Sequence, residues 1–151
     1  MQEISVKEIF KKQMGASEDV ELDFDPEQID IPESIILKSL SGKAKLFRLE
    51  DSVMVTVKLK AELNLICDRC LDNFDTKVEF VTEREYLFDR KQDNENDEGY
   101  VDKYFNVDIL PEVREELILA VPTKNLCKKD CAGICLTCGV NLNHQECKCK
   151  I

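Results

Sequence analysis

The chain has 151 residues, 43% of them apolar and 34% charged, with a formal net charge of −10, eight cysteines and a single histidine. That balance suits one domain of modest core with a small appendage and excludes a disordered chain. No stretch reaches transmembrane length, and the mixed-charge start Met1-Gln2-Glu3-Ile4 lacks the basic opening and apolar run of a signal peptide. The expected address is therefore cytoplasmic, where thiols stay reduced and clustered cysteines favour metal ligation over disulfides.

The charge is unevenly spread: residues 1–122 sum to −13 and residues 123–151 to +3. An acidic body argues against broad binding to a phosphate backbone and suits a basic protein partner.

Taken in order, Ser5-Val6-Lys7-Glu8 has the form of a capping box, and Val6, Ile9, Phe10 and Met14 recur at helical spacing before Gly15. This predicts a short amphipathic helix. Val20, Leu22 and Phe24 alternate with acids, as in a half-buried strand that ends at Asp25-Pro26. From Ile35 to Leu49 an apolar-rich segment carries Gly42 at its middle, the mark of a bulge or bend.

The clearest pattern follows. Val53, Val55, Val57, Leu59, Ala61, Leu63 and Leu65 fall on one face and Thr56, Lys58, Lys60, Glu62 and Asn64 on the other, so residues 53–66 form a long strand with one wet side. Phe74, Val78, Phe80, Tyr86 and Phe88 repeat the alternation, which makes the two runs a hairpin with Cys67-x-x-Cys70 at its tip. Residues 89–102 hold six acids and almost nothing apolar, a solvated loop. A short strand is expected within Tyr104–Ile109, then a helix that starts at Pro111, buries Leu110, Val113, Leu117 and Ala120 or Val121, and ends at Pro122. The few apolar residues beyond it could not fold the tail unaided. The division expected is a sheet domain over 1–122 and a metal-binding tail over 123–151 docked on it. Beyond the cysteine pairs the reading finds no internal repeat.

A Cys-x-x-Cys turn places two thiolates on one side of a loop and supplies half of a tetrahedral site. Eight cysteines therefore suggest two Zn²⁺ ions. The tail divides at Gly133: Cys135, Cys138, Cys147 and Cys149 can close one site locally, which leaves Cys127 and Cys131 to reach back to Cys67 and Cys70. The competing assignment joins Cys127, Cys131, Cys135 and Cys138 and sends Cys67 and Cys70 to Cys147 and Cys149. His144 is an alternative ligand in the tail. A four-thiolate site keeps no position for activated water, and the sequence holds neither a phosphate loop nor a credible pair of nucleophile and base. The expectation is a protein that is not an enzyme and takes no small-molecule substrate.

In combination, Cys67-Asp68-Arg69-Cys70-Leu71, the helix Val113-Arg114-Glu115-Glu116-Leu117 ending at Pro122, Gly133-Ile134-Cys135-Leu136-Thr137-Cys138-Gly139-Val140-Asn141-Leu142-Asn143 and Cys147-Lys148-Cys149 resemble the bacterial YceD family, also called DUF177. The resemblance implies a role in the accumulation or processing of large-subunit (23S) ribosomal RNA during ribosome assembly, with a precursor of the large subunit, a ribosomal protein or rRNA as partner and no membrane.

Three functional readings follow. The first is a noncatalytic, zinc-stabilised assembly factor that meets a basic partner through an acidic sheet surface. The second is a direct RNA binder using Arg69, Lys124, Lys128, Lys129, Lys148 and Lys150, residues that also offset the charge of two four-thiolate sites. The third is a redox-sensitive zinc thiol switch. The fold expected throughout is α+β: an antiparallel twisted sheet, two short helices and a cysteine-rich zinc-binding C-terminal tail.

Overall fold

The computed structural model describes residues 3–88, 99–102 and 104–149. Most of the acidic stretch (89–98) and Lys150 lie outside the described residues. The chain folds as an α+β protein built on one antiparallel meander. Strands β2 (Ser17–Phe24), β3 (Ile36–Arg48), β4 (Ser52–Ile66) and β5 (Asn73–Leu87) lie side by side in chain order.

The period-2 pattern decides which side is covered. Every odd residue of β4 from Val53 to Leu65 is buried, beside Leu40, Ala44 and Leu46 of β3, Leu22 and Phe24 of β2, and Phe80 and Tyr86 of β5. Helix α2 (Leu110–Ala120) packs along β5 and contributes Val113 and Leu117 to the same core. An Arg84–Glu112 ion pair joins the two elements. Pro111 lies in the first turn of α2, where its missing N–H is not needed. No helix among the described residues is long and apolar enough to cross a membrane.

The opposite sheet face is striped rather than uniformly acidic. Asp19, Glu21 and Asp23 on β2 lie beside Lys43 and Lys45 on β3, Lys58 and Lys60 follow on β4, and Glu79 and Glu83 on β5 close the row. Lys60 pairs with Glu79 at 3.2 Å and Lys77 with Glu62 at 3.6 Å. Acidic stripes on the edge strands β2 and β5 thus flank a basic centre on β3 and β4, with opposite charges across β2–β3 and β4–β5.

Two local expectations need correction. The Ser5 capping box does not form: Ser5 ends β1 (Glu3–Ser5), which pairs with β6 (Asn106–Asp108) about a hundred residues away, and helix α1 is only Lys7–Phe10 with no side-chain cap. The long-range ladder takes the residues that the local signal assigned to a helix start. Val6 and Ile9 are buried as the helical spacing predicts, whereas Met14 is exposed. Phe10 instead meets Phe88 edge-on and Phe105 at a tilt, each with ring centroids 4.8 Å away, near the guanidinium of Arg48. Gly42 is not a bulge either; the register slips between Leu37 and Ser39. A Cβ on Gly42 would strike the Lys58 carbonyl and the backbone of Leu59, so its glycine permits close approach of β3 to β4.

Candidate metal centres

The β4–β5 hairpin ends in a tight turn that lifts Cys67 and Cys70 to its tip. The Cys67 N–H donates to the Asp72 carbonyl at 2.8 Å and the Leu71 N–H to the Cys67 carbonyl at 3.0 Å. Leu71 takes the left-handed conformation with φ 63°.

The tail builds the same turn again. The Cys135 N–H donates to the Val140 carbonyl at 2.9 Å, the Gly139 N–H to the Cys135 carbonyl at 2.8 Å, and Gly139 has φ 76°. The pair Ile66↔Asn73 closing the first turn corresponds to the bridge Ile134↔Asn141 closing the second. The sequence carries the correspondence as Ile-Cys-x-x-Cys-x-x-Asn at 66–73 and again at 134–141. The cysteine pairs thus belong to an eight-residue repeat, which the sequence reading overlooked by looking only at the cysteines.

Each turn is completed by a second pair of thiols. Cys67, Cys70, Cys127 and Cys131 form one tetrad and Cys135, Cys138, Cys147 and Cys149 the other, and within each the four sulfurs lie within 4.8 Å of one another. Either set could hold a metal ion. In the first, Cys67 Sγ is 3.7 Å from Cys131 Sγ, and Cys70 Sγ is 3.6 Å from Cys127 Sγ. In the second, Cys138 to Cys147 is 3.7 Å and Cys135 to Cys147 is 3.3 Å. A tetrahedral ion with metal–sulfur bonds of about 2.3 Å has sulfur–sulfur edges of about 3.8 Å. A disulfide needs about 2.05 Å, so these spacings suit coordination and not cross-linking.

Thiol acidity fits a cation as well. Burial opposes ionisation of Cys67, yet the N–H groups of Cys70, Cys127 and Arg69 outweigh it and lower its pKa to about 6. The N–H groups of Cys138 and Thr137 do the same for Cys135, also to about 6. Within the same tetrads, burial and the neighbouring thiols push Cys127 up to about 12, and the adjoining thiols Cys138 and Cys147 do so for Cys149, again to about 12. Four sulfurs so close cannot all ionise together unless a cation offsets the charge.

Three of the four thiols in the first tetrad are buried and carry a small core of their own, in which Phe74, Leu126 and Ile134 pack on Cys67, Cys70 and Cys131. Asp68 and Asn125 exchange hydrogen bonds: the Asp68 N–H donates to the Asn125 carbonyl at 2.7 Å and the Asn125 N–H to Asp68 Oδ2 at 2.8 Å. The Cys127 N–H points at Cys67 Sγ at 3.4 Å. Arg69 reaches the Cys131 carbonyl at 3.3 Å.

The second tetrad is more open, with Cys138 exposed. It leans on the first through residues that the sequence reading did not single out. Asn143 donates through Nδ2 to Cys131 Sγ at 3.3 Å and accepts through Oδ1 from the Ala132 N–H at 2.9 Å. Asp72 Oδ2 accepts from Asn141 Nδ2 at 2.6 Å and lies 2.9 Å from His144 Nε2. His144 therefore faces a carboxylate, and neither tetrad includes it. The cluster Asn141-Leu142-Asn143-His144, two residues after Gly139, was the available signal for this polar seam.

Of the basic residues singled out, Arg69, Lys124, Lys128, Lys129 and Lys148 are all exposed. The described structure gives none of them an ion-pair partner, and Lys150 lies outside it.

Comparison with known proteins returns one family. The model of the family described as "Large ribosomal RNA subunit accumulation protein YceD" matches residues 55–151, from within β4 through the hairpin, α2 and both tetrads. No curated protein and no solved structure matches the chain.

Proposed function

The chain belongs to the YceD family, whose name ties it to large-subunit ribosomal RNA accumulation, and from that premise we propose that it is a noncatalytic, cytoplasmic assembly factor for the large ribosomal subunit. In this reading each tetrad holds one Zn²⁺ ion, and both ions serve structure. The observation that carries it is that each site has four thiols of its own within 4.8 Å. A zinc ion with four thiolates has no open position at which to activate water, so the residues hold shape and offer no chemistry of bond cleavage. A closed structural zinc contributes folding energy directly, which supplies what the small tail core lacks.

The factor is needed for 23S rRNA to accumulate and works while bound to a precursor of the large subunit. Co-sedimentation with precursor particles, together with 23S rRNA levels in cells lacking the protein, tests the reading. A chain found only in the free fraction, with rRNA at its usual level in its absence, defeats it.

A second reading has its own support. The exposed Lys124, Lys128, Lys129 and Lys148, without an ion-pair partner among the described residues, and Arg69, whose guanidinium also donates to the Cys131 carbonyl, are available to RNA phosphates. If they bind RNA, affinity falls with salt on a slope that flattens as each is neutralised. An affinity unchanged after all five are replaced removes this reading.

A further inference from the structure

The repeated turn contains its own control. At its left-handed position the second turn uses Gly139, where a Cβ would meet nothing within 4 Å, so the glycine is there for its dihedral and not for lack of room. The first turn places Leu71 at the same position with φ 63°. A left-handed leucine is disfavoured, and its side chain, 61% exposed, gains little burial in return. Local strain without local compensation is characteristic of residues retained for contact with something else.

What surrounds Leu71 agrees. Together with Ile35, Ile66, Val121 and Pro122 it lines a groove of about 410 Å³, of a size that ligand sites commonly have, on the order of 300–1,000 Å³. Ile66 is itself 47% exposed. The walls come from the entry to β3, the hairpin tip and the chain after α2, three segments that meet where the first tetrad gathers Cys67, Cys70, Cys127 and Cys131. Ser34, Asn125 and Asp68 add polar groups. Asn125 Oδ1 is buried and has no hydrogen-bond partner, and Asp68, an exposed acid, stands in the wall.

We infer that this groove docks a protein segment that presents a large aliphatic side chain next to a lysine or arginine. The aliphatic group fills the space against Leu71 and Ile66, a backbone or side-chain N–H answers Asn125 Oδ1, and the cation faces Asp68. Charge complementarity at Asp68, the one charged residue in the wall, favours a cationic side chain on the partner. Nucleic acid fits poorly here: no aromatic ring lines the groove for bases to stack on, and its one charged wall residue repels phosphate. The inference deepens the assembly-factor reading, on which only the partner's place in a precursor particle rests.

The test uses the full chain loaded with zinc and fluorescent nonapeptides with leucine at the centre flanked by lysines. Binding is expected, weakened at least tenfold when the central leucine becomes alanine or the lysines become glutamate. Leu71→Gly should weaken binding at least tenfold while keeping both metal ions and melting no lower than the parent, because Gly139 shows that this turn accepts glycine. Ile66→Asn should weaken it similarly, and Leu136→Ala, on the fully exposed crest of the other turn, should not. The inference is overturned if the peptides do not bind, if glutamate-flanked peptides bind equally, or if Leu71→Gly binds as the parent does. Loss of metal or stability in Leu71→Gly overturns it too, since Leu71 would then be structural. A Leu71-dependent dimer in sedimentation makes a second copy the occupant, and displacement of the peptide by a single-stranded RNA oligonucleotide makes it RNA; either result rejects the inference. Cells lacking the protein report separately on the assembly role: an rRNA defect that Leu71→Gly fully rescues sinks the groove alone.

Discussion

The turns at 66–73 and 134–141 share a backbone path and four residue identities, yet their surroundings differ in kind. The first grows from two fifteen-residue strands, so the sheet fixes where Cys67 and Cys70 stand before any tail arrives. The second has one isolated bridge and no buried residue among 134–141, so it is held by its thiols, by Ile134 packed on the first tetrad and by the Asp72–Asn141–Asn143 seam. Their partner thiols differ accordingly. Cys127 and Cys131 come from some sixty residues away and join two parts of the chain, whereas Cys147 and Cys149 close a local loop. The same motif is thus a clip in one place and a self-contained knuckle in the other.

The largest effect expected from this difference comes from single ligands. If each tetrad holds its own ion, Cys131→Ser loses one of two zincs and frees the tail from the hairpin, a loss of about 4 kcal/mol or more, the range seen when a structural metal is removed. Cys138→Ser loses the other zinc but leaves the sheet domain stable to within about 1 kcal/mol, because that site closes only a local loop. Metal analysis beside thermal unfolding measures both. Equal destabilisation by the two variants would erase the distinction between clip and knuckle.

Next in size is the seam. Asn143 sits in the loop of the second tetrad but donates to a sulfur of the first, and hydrogen bonds to charged groups contribute about 1.5–3 kcal/mol. Asn143→Ala should cost that amount in denaturant unfolding and should leave the metal content unchanged. It should also uncouple the sites, so that stripping the second no longer hastens loss of the first. Retained coupling would move the connection to Asp72.

A chelator separates the sites by rate. With Cys138 exposed and Cys67, Cys70 and Cys131 buried, metal bound at the two tetrads should leave in two phases. The phase assigned to the second tetrad by the Cys138→Ser variant should be faster by at least about tenfold, a difference of about 1.4 kcal/mol in barrier. A single phase would mean that the clip is as open as the knuckle.

How much of this was legible in the sequence depends on the range of the interaction. The β4–β5 hairpin could be read because period-2 burial is written residue by residue in Val53 to Leu65. The grouping of sulfurs in the structure follows the split at Gly133, one of the two assignments that spacing left open. The Ser5 cap of helix α1 was misread because the partner that claims Glu3–Ser5 is a strand at 106–108, and no local signal announces a ladder of that range. Gly42 was identified as special for the wrong cause: a glycine that bends a strand and one that admits a neighbouring backbone look alike until the neighbour is placed. The repeat was legible in full, since Ile66 and Ile134, and Asn73 and Asn141, stand at matching offsets from the cysteines. Leu71 was not. Its left-handed backbone becomes visible only once Gly139 is seen to occupy the same place.

That last correspondence gives the smallest and most direct test, an exchange of the two left-handed residues. Gly139→Leu meets no steric obstacle, so its cost should be close to the bare left-handed penalty of about 1–2 kcal/mol. Leu71→Gly removes the same penalty from the first turn but gives the unfolded chain more freedom, so the net gain should be smaller, about 0.5 kcal/mol. Midpoints of denaturant unfolding at unchanged slope resolve effects of opposite sign even at this size. If Leu71→Gly destabilises, the leucine contributes packing that its exposure hides, and the two turns differ in their own energetics as well as in what surrounds them. If it stabilises while Gly139→Leu destabilises, the turns are equivalent as structures, and the leucine at the hairpin tip is kept at a cost to folding.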